Sequence, residues 1–259
     1  MASRARRATV RSSAVADAGM REFWDARAEE NAYYFIDNRL DYRDPDWDAF
    51  WTGGREALDK VIELLGVEIA PTDSIVEIGC GLGRITRGLA ERGAEVRALD
   101  VSERMLDRAR TLNADLGNVE WVLGDGRTLA PIETGSADVC HSFVVFQHLP
   151  DPAMTLAYVR EMGRVLRPDG IAFFQVSNAP AVHRKPGRIR RALRAAGSWL
   201  GSGPGGQSHP AWLGSPTDLG DLEPAAAQSG MRVERLVGAG TPFCFVLLRK
   251  TAADGRPGG

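Results

Sequence analysis

Cysteine is scarce in this chain: Cys80, Cys140 and Cys244 are odd in number and sit in or beside apolar runs. Three such residues cannot build a disulfide framework, and they suit a reducing cytosol. Long apolar runs are also missing. The longest charge-free stretch, Ala195 to Thr217, is crowded with glycine and proline and cannot form a spanning helix. Arginines near the start have no apolar segment behind them, so a secretory signal is not expected. Histidine is limited to four residues, and they are scattered with the cysteines at no zinc-like spacing. Net charge is nearly absent too, at −2. That balance excludes little, because Arg4, Arg6, Arg7 and Arg11 precede the first acid, and Arg184 to Arg194 carries no acid at all.

What is present is an ordinary globular composition, 44% hydrophobic and 25% charged over 259 residues. At roughly 150 residues per domain this allows one large domain, or one domain with accessory parts. Residues 1–17 read as a disordered basic tail, and residues 18–70 as an aromatic, helical segment. Leu58, Val61, Ile62 and Leu65 mark an amphipathic helix stopped by Gly66. After Pro71, β-prone runs alternate with helical ones: SIVEIG, EVRALD, VEWVLGD, ADVCHSF and GIAFFQV. Such alternation predicts an α/β, doubly wound, mostly parallel sheet. Residues 178–214 interrupt it. A last helix and two antiparallel strands complete the domain at 250, and residues 251–259 read as a tail.

The strongest local signal is IVEIGCGLGRIT. A buried strand there runs into Gly79, Gly81 and Gly83, residues that let a ligand approach the backbone. Asp100 closes the next strand, where a carboxylate can meet ribose hydroxyls. A dinucleotide fingerprint would be G-x-G-x-x-G; here the spacing is G-x-G-x-G, with Glu77 two residues ahead. An acid there repels a pyrophosphate and suits a cationic amino group. That favours an amino-acid-bearing nucleoside over NAD.

VEIGCGLGRIT, VRALDVSERMLDRAR, VLGDGRTL, ADVCHSFVVFQHLPD and VLRPDGIAFF together resemble, in order, the motifs of class I S-adenosylmethionine-dependent methyltransferases of the small-molecule type. The resemblance implies a Rossmann-like seven-stranded sheet of order 3-2-1-4-5-7-6 with the last strand antiparallel, an N-terminal helical lid and a cap insertion. It also implies that Glu77, Gly79, Cys80, Gly81 and Gly83 cradle the methionine half of the cofactor. Asp100 would serve the ribose, Met105, Asp125 and Gly126 the adenine, and Ser142 and Phe143 the sulfonium region, with Val101 also among the cofactor-binding residues. The product would be S-adenosyl-L-homocysteine.

The segment after strand four lacks the Asn/Asp-Pro-Pro-Tyr run of nucleic-acid enzymes, the Pro-Cys nucleophile of RNA cytosine enzymes and the paired glutamates of protein-arginine enzymes. No metal-binding acids lie between His141 and Pro150. The expectation is therefore metal-free methyl transfer to O, N or C of a small, anionic or carrier-bound metabolite. His148 is the candidate base or substrate contact, and His141 reads as structural. Tyr33, Tyr34, Trp47 and Trp51 are candidate lid aromatics, and His209 lies in the cap. A basic amphipathic helix is expected around Ile189, Leu193, Ala196 and Leu200. The Arg- and Ala-rich, Lys-poor composition suits bacterial secondary metabolism or cell-surface sugar chemistry. Two other classes stay open: a non-catalytic cofactor or nucleic-acid binder, and a nicotinamide-dependent enzyme.

Overall fold

The structure is a computed structural model that describes residues 2–184, 204 and 206–252, with side chains from Gly19 onward. The expected basic helix of residues 188–200 lies outside the described residues, as do residues 253–259 of the C-terminal tail.

Seven strands form one sheet in the order β3-β2-β1-β4-β5-β7-β6. They are β1 (Ser74–Ile78), β2 (Glu95–Asp100), β3 (Val119–Leu123), β4 (Ala137–Ser142), β5 (Leu166–Val176), β6 (Met231–Val237) and β7 (Cys244–Lys250). Pairing is parallel from β3 through β5, while β7 runs antiparallel to both β5 and β6. The order and the reversed last strand are those expected. Every residue of central β1 is buried, whereas edge strand β3 is half-exposed, which is why SIVEI after Ser74 reads as an apolar run broken only by Glu77.

Helices cover both faces. On one, α2 (Trp47–Leu65), α3 (Thr86–Ala90) and α4 (Glu103–Leu112) bury Leu58, Val61, Leu65, Leu89 and Leu106 against Ile75, Val139 and Phe173. On the other, α5 (Pro152–Val165) and the late helix Leu219–Gln228 bury Tyr158, Val159, Met162, Leu222 and Ala226 against Val76, Cys140 and Phe174. Local chemistry sets their ends. Asp46, Ser102, Asp151 and Asp218 each accept a backbone N–H of the first turn. Gly66 ends α2 in the left-handed conformation at φ 62°. α2 begins ahead of the apolar spacing that revealed it, because Asp46 supplies the cap after Pro45.

The first helix, α1, spans Ala2–Ile36. This corrects the expected disordered tail: residues 2–17 are helical, with alanine and arginine frequent and no glycine or proline before Gly19. The helix breaks at Asn31 (φ −168°, ψ 84°), whose Oδ1 accepts from the Tyr34 amide and whose Nδ2 donates to the Tyr42 carbonyl. From Met20 onward α1 lies across the carboxyl ends of the parallel strands. Arg21 donates to the Gly124 carbonyl after β3, and the Ser102 hydroxyl after β2 donates to Asp25. A short helix, α6 (Pro210–Leu213), packs beside it, so the late helix Leu219–Gln228 is α7.

Candidate cofactor-binding site

A cavity opens at the carboxyl ends of β1, β2 and β4 beneath α1. That is the edge at which open parallel sheets bind ligands. Its floor is the loop after β1. The amides of Gly79 and Cys80 both donate to the Leu99 carbonyl, at 2.7 and 3.0 Å, which ties the loop to β2. Gly79 and Gly81 hold φ of 76° and 56°, the region that favours glycine.

Asp100 is locked into the same loop. Its Oδ2 accepts from the Gly81 amide and its Oδ1 from the Ser102 amide, both at 2.9 Å. Each oxygen keeps a lone pair for another donor. Withdrawal from water raises its pKa, against the pull of those amides.

Glu77 is 3% exposed, and its Oε2 accepts from the Thr86 hydroxyl at 2.5 Å. Burial pushes its pKa from 4.5 up to about 7, the Thr86 bond opposing and the charge of Asp100 adding to the shift. Such a carboxyl is poised to ionise when a cation arrives. Cys80 is buried and its thiol is pushed well up by the same desolvation, so it remains a thiol.

Of the residues assigned to the cofactor by resemblance, Glu77, Gly79, Cys80, Gly81, Asp100, Val101, Met105, Gly126 and Phe143 line this cavity. Three others do not. A Cβ on Gly83 would meet Trp121 and Asn113 at 2.7 and 2.8 Å, so that residue packs against β3 and α4. Asp125 is exposed and holds a turn, accepting from the Thr128 hydroxyl and from the Arg127 and Thr128 amides. The Ser142 hydroxyl donates to the Ile78 carbonyl at 3.0 Å and tethers β4 to β1.

The lid contributes Met20, Trp24, Phe35 and Ile36 to the lining, not the expected tyrosines. Tyr33 turns inward against Phe50, and Tyr34 packs on Tyr42. Trp51 meets Phe50 edge-on under Arg87, and half-exposed Trp47 rests on Tyr33. His209 stacks on Phe23 at 4.5 Å and caps α6.

His148 does line the cavity. Its Nδ1 donates to the Trp212 carbonyl at 2.9 Å, which leaves Nε2 as acceptor toward the Gln147 amide at 3.2 Å. Trp24 meets its ring edge-on at 5.5 Å. Burial lowers its pKa to about 4, so the ring is neutral at pH 7. His141 is buried within β4, bonded to the Phe173 carbonyl, as its strand position implied.

Composition and motif spacing did not point to Arg84, although it directly follows the third glycine. It lines the cavity and forms a buried ion pair with Asp37, Nη1 to Oδ2 2.6 Å, each side chain 6% exposed. Gln175 was also passed over; a lone amide in the apolar strand GIAFFQV was its signal. A second, open groove between α2 and Phe245 shares Phe143 with the cavity.

Residues 76–174 match the family described as Methyltransferase domain. Over those residues the chain is therefore similar to a methyltransferase domain. The match covers all the cavity-lining segments after β1, while the α1 residues that roof the cavity lie outside it. The domain is similar to a ubiquinone biosynthesis O-methyltransferase of Neisseria meningitidis, 37% identical over 108 residues, 40% of this chain and 44% of that one. It is also similar to a malonyl-[acyl-carrier protein] O-methyltransferase of Serratia marcescens, 36% identical over 40% of this chain and 38% of that protein. The chain thus spans less than half the length of these relatives. The fold matches Haemonchus contortus phosphoethanolamine N-methyltransferase 1, solved with phosphoethanolamine and S-adenosylhomocysteine, at a TM-score of 0.62 and 17% identity, over 95% of this chain and 51% of that one. Seven strands in the order found here, with helices on both faces, make this domain's fold the class I methyltransferase fold.

Among the described residues no helix is long and apolar enough to cross a membrane. Nor do three or more His, Cys, Asp or Glu side chains among them gather where they could hold a metal ion.

Proposed function

We propose that the protein transfers a methyl group from S-adenosylmethionine to an oxygen, nitrogen or carbon of a small metabolite. The observation that carries this reading is the joining of Glu77, the Gly79–Gly81 loop and Asp100 in one cavity under an apolar lid. That donor set fits the cofactor. Glu77 suits an ammonium, and Asp100 suits ribose hydroxyls through its remaining lone pairs. Met105 and Val101 offer apolar surface for a base. The cofactor supplies an activated methyl on a sulfonium.

The chain's own part is orientation and exclusion of water. Trp24, Phe35 and Ile36 roof the cavity, and Glu77 neutralises the amino group. His148 presents a neutral ring whose Nε2 accepts from the Gln147 amide. An acceptor's hydroxyl or amine would hydrogen-bond there only by displacing that amide, a contact that suits orientation more than full proton abstraction. Phe143 lines both the cavity and the groove beside α2, and we place the acceptor on the cavity side, beside Phe143 and His148. The similar proteins act on a quinone precursor, a carrier-bound acid and an amine by their names, so acceptor choice falls to residues outside the shared motifs. Three free, buried cysteines suit a reducing cytosol.

A thermal shift measurement tests the reading. S-adenosylhomocysteine at about 100 times its Kd should raise stability by about 2.7 kcal/mol, about 5–10 °C for a domain of this size. NAD should give no shift. A shift with NAD alone would overturn the proposal.

A further inference from the structure

Among the described residues, the groove between α2 and Phe245 is an apolar strip left open beside the cavity. Val61, Leu64, Phe143 and Phe245 line it, with the two phenylalanine rings stacked at 6.4 Å and Leu64 40% exposed. Phe143 also lines the cavity, so the groove begins where the acceptor is placed. Two glycines of α2 differ in what the fold asks of them. A Cβ on Gly54 would meet the Arg84 carbonyl at 2.6 Å, and this close approach explains that residue. A Cβ on Gly53 would meet only Arg39 Nη2 among the described residues, at 3.5 Å, an ordinary contact. A glycine inside a helix weakens it, yet packing does not require this one. What its missing side chain does is keep the groove open near the cavity. The rim carries no excess charge. Arg39 and Lys60 stand against Glu56 and Glu63, and Asp37 behind Arg39 is matched by buried Arg84. A neutral apolar chain fits such walls, whereas an ionised one would find no surplus counter-charge. A second protein fits them less well, because four charges border the strip and interface centres are depleted of charge.

Resting on the methyl-transfer reading above, we propose that the acceptor carries a neutral apolar chain and that this groove holds it. The reacting atom then sits beside Phe143 and His148, and the chain runs along α2. From Gly53 to Leu64 the helix rises about 16 Å, which suits an extended chain as long as a dodecyl group. Gly53 is a specificity-determining position here: it admits the chain and takes no part in holding the methyl donor.

The test titrates 1-hexanol, 1-octanol and 1-decanol, by calorimetry, into the full chain saturated with S-adenosylhomocysteine. Affinity should rise about fourfold for every two methylenes, since an open groove covers one side of the chain. Gly53→Leu fills the groove and should bind all three alcohols with equal, weak affinity. Its S-adenosylhomocysteine affinity should be unchanged and its melting temperature no lower, because leucine is the better helix former. If Gly53→Leu does not fold, Ala57→Glu, one turn further along the groove, is read in its place and should cancel the length dependence likewise. Equal affinity across the series in the unaltered protein, or no binding of any alcohol, would overturn the proposal. So would an undiminished length dependence in the folded variant. Failure of S-adenosylhomocysteine to bind the unaltered protein would instead sink the methyl-transfer reading on which the proposal stands.

Discussion

Gln175 Nε2 donates to Gln147 Oε1 at 3.0 Å, so a buried residue of β5 fixes the side chain that faces His148. The same amide donates to the Pro242 carbonyl at 2.6 Å and accepts from the Val144 amide at 3.2 Å. Val144 needs that support: its φ of 59° is strained for a β-branched residue and lies at the cavity wall. From Gln175 the chain of bonds runs through Gln147 to His148 and ends on the Trp212 carbonyl.

Removing the hub should loosen the whole row. Gln175→Ala leaves buried partners unpaired and should cost about 1–3 kcal/mol of stability in denaturant titration. His148 should also shift. By NMR titration its ring should titrate near 4 in the unaltered protein and move toward the ordinary 6.5 in the variant, as water reaches it. An unmoved His148 would show that Gln175 supports only the sheet.

Glu77 gives a pH signature of definite sign. Its folded pKa of about 7 lies above the ordinary 4.5, so the native state binds more protons between those values. Its contribution to stability is full below pH 4.5 and is lost as pH rises through 7. Glu77→Gln should remove that slope while keeping a bond to Thr86. A ligand ammonium favours the ionised carboxylate, so S-adenosylhomocysteine affinity should rise from pH 6 to about 7.5 in the unaltered protein, a range in which the ligand's amino group stays protonated. In the variant it should stay flat. His141, depressed to about 4 by burial, slopes the other way, its contribution being present above 6.5 and lost as pH falls through 4. Comparison with Glu77→Gln isolates the glutamate.

Lid residues separate by the direction they face. Trp24→Ala removes part of the cavity roof and should weaken S-adenosylhomocysteine binding by about tenfold, the loss of roughly 1.5 kcal/mol of apolar contact. Tyr33→Phe should leave binding unchanged, since Tyr33 is 3% exposed and packs away from the cavity. Among the described residues its buried hydroxyl makes no hydrogen bond of good geometry, with the Arg108 guanidinium beside it, so the variant should melt little or no lower than the unaltered protein.

These contrasts show what the sequence could and could not disclose. The strand-to-loop junctions were legible because each is a local pattern: an apolar run, then glycines or an acid at the carboxyl end of the strand. Glu77, Gly79, Gly81 and Asp100 meet because neighbouring parallel strands bring their ends together. The lid was not legible in the same way. Tyr33 and Phe35 are two residues apart, yet the break at Asn31 and the path of α1 send one to Phe50 and the other to the cavity. Asp37 and Arg84 are 47 residues apart, and nothing local to either marks the other as its partner. Gly83 shares a motif with Gly79 and Gly81 but faces Trp121, because the loop has turned toward α3 by that point.

Calorimetric titration of S-adenosylhomocysteine into the unaltered protein and into Asp100→Ala, side by side, tests the central claim most directly. The account predicts one binding site per chain in the first. In the variant, affinity should fall by at least about tenfold, the loss of a charge-assisted bond worth about 1.5–3 kcal/mol, with the cooperative melting transition retained. Equal affinity in both proteins, or no binding to a folded unaltered chain, would contradict it.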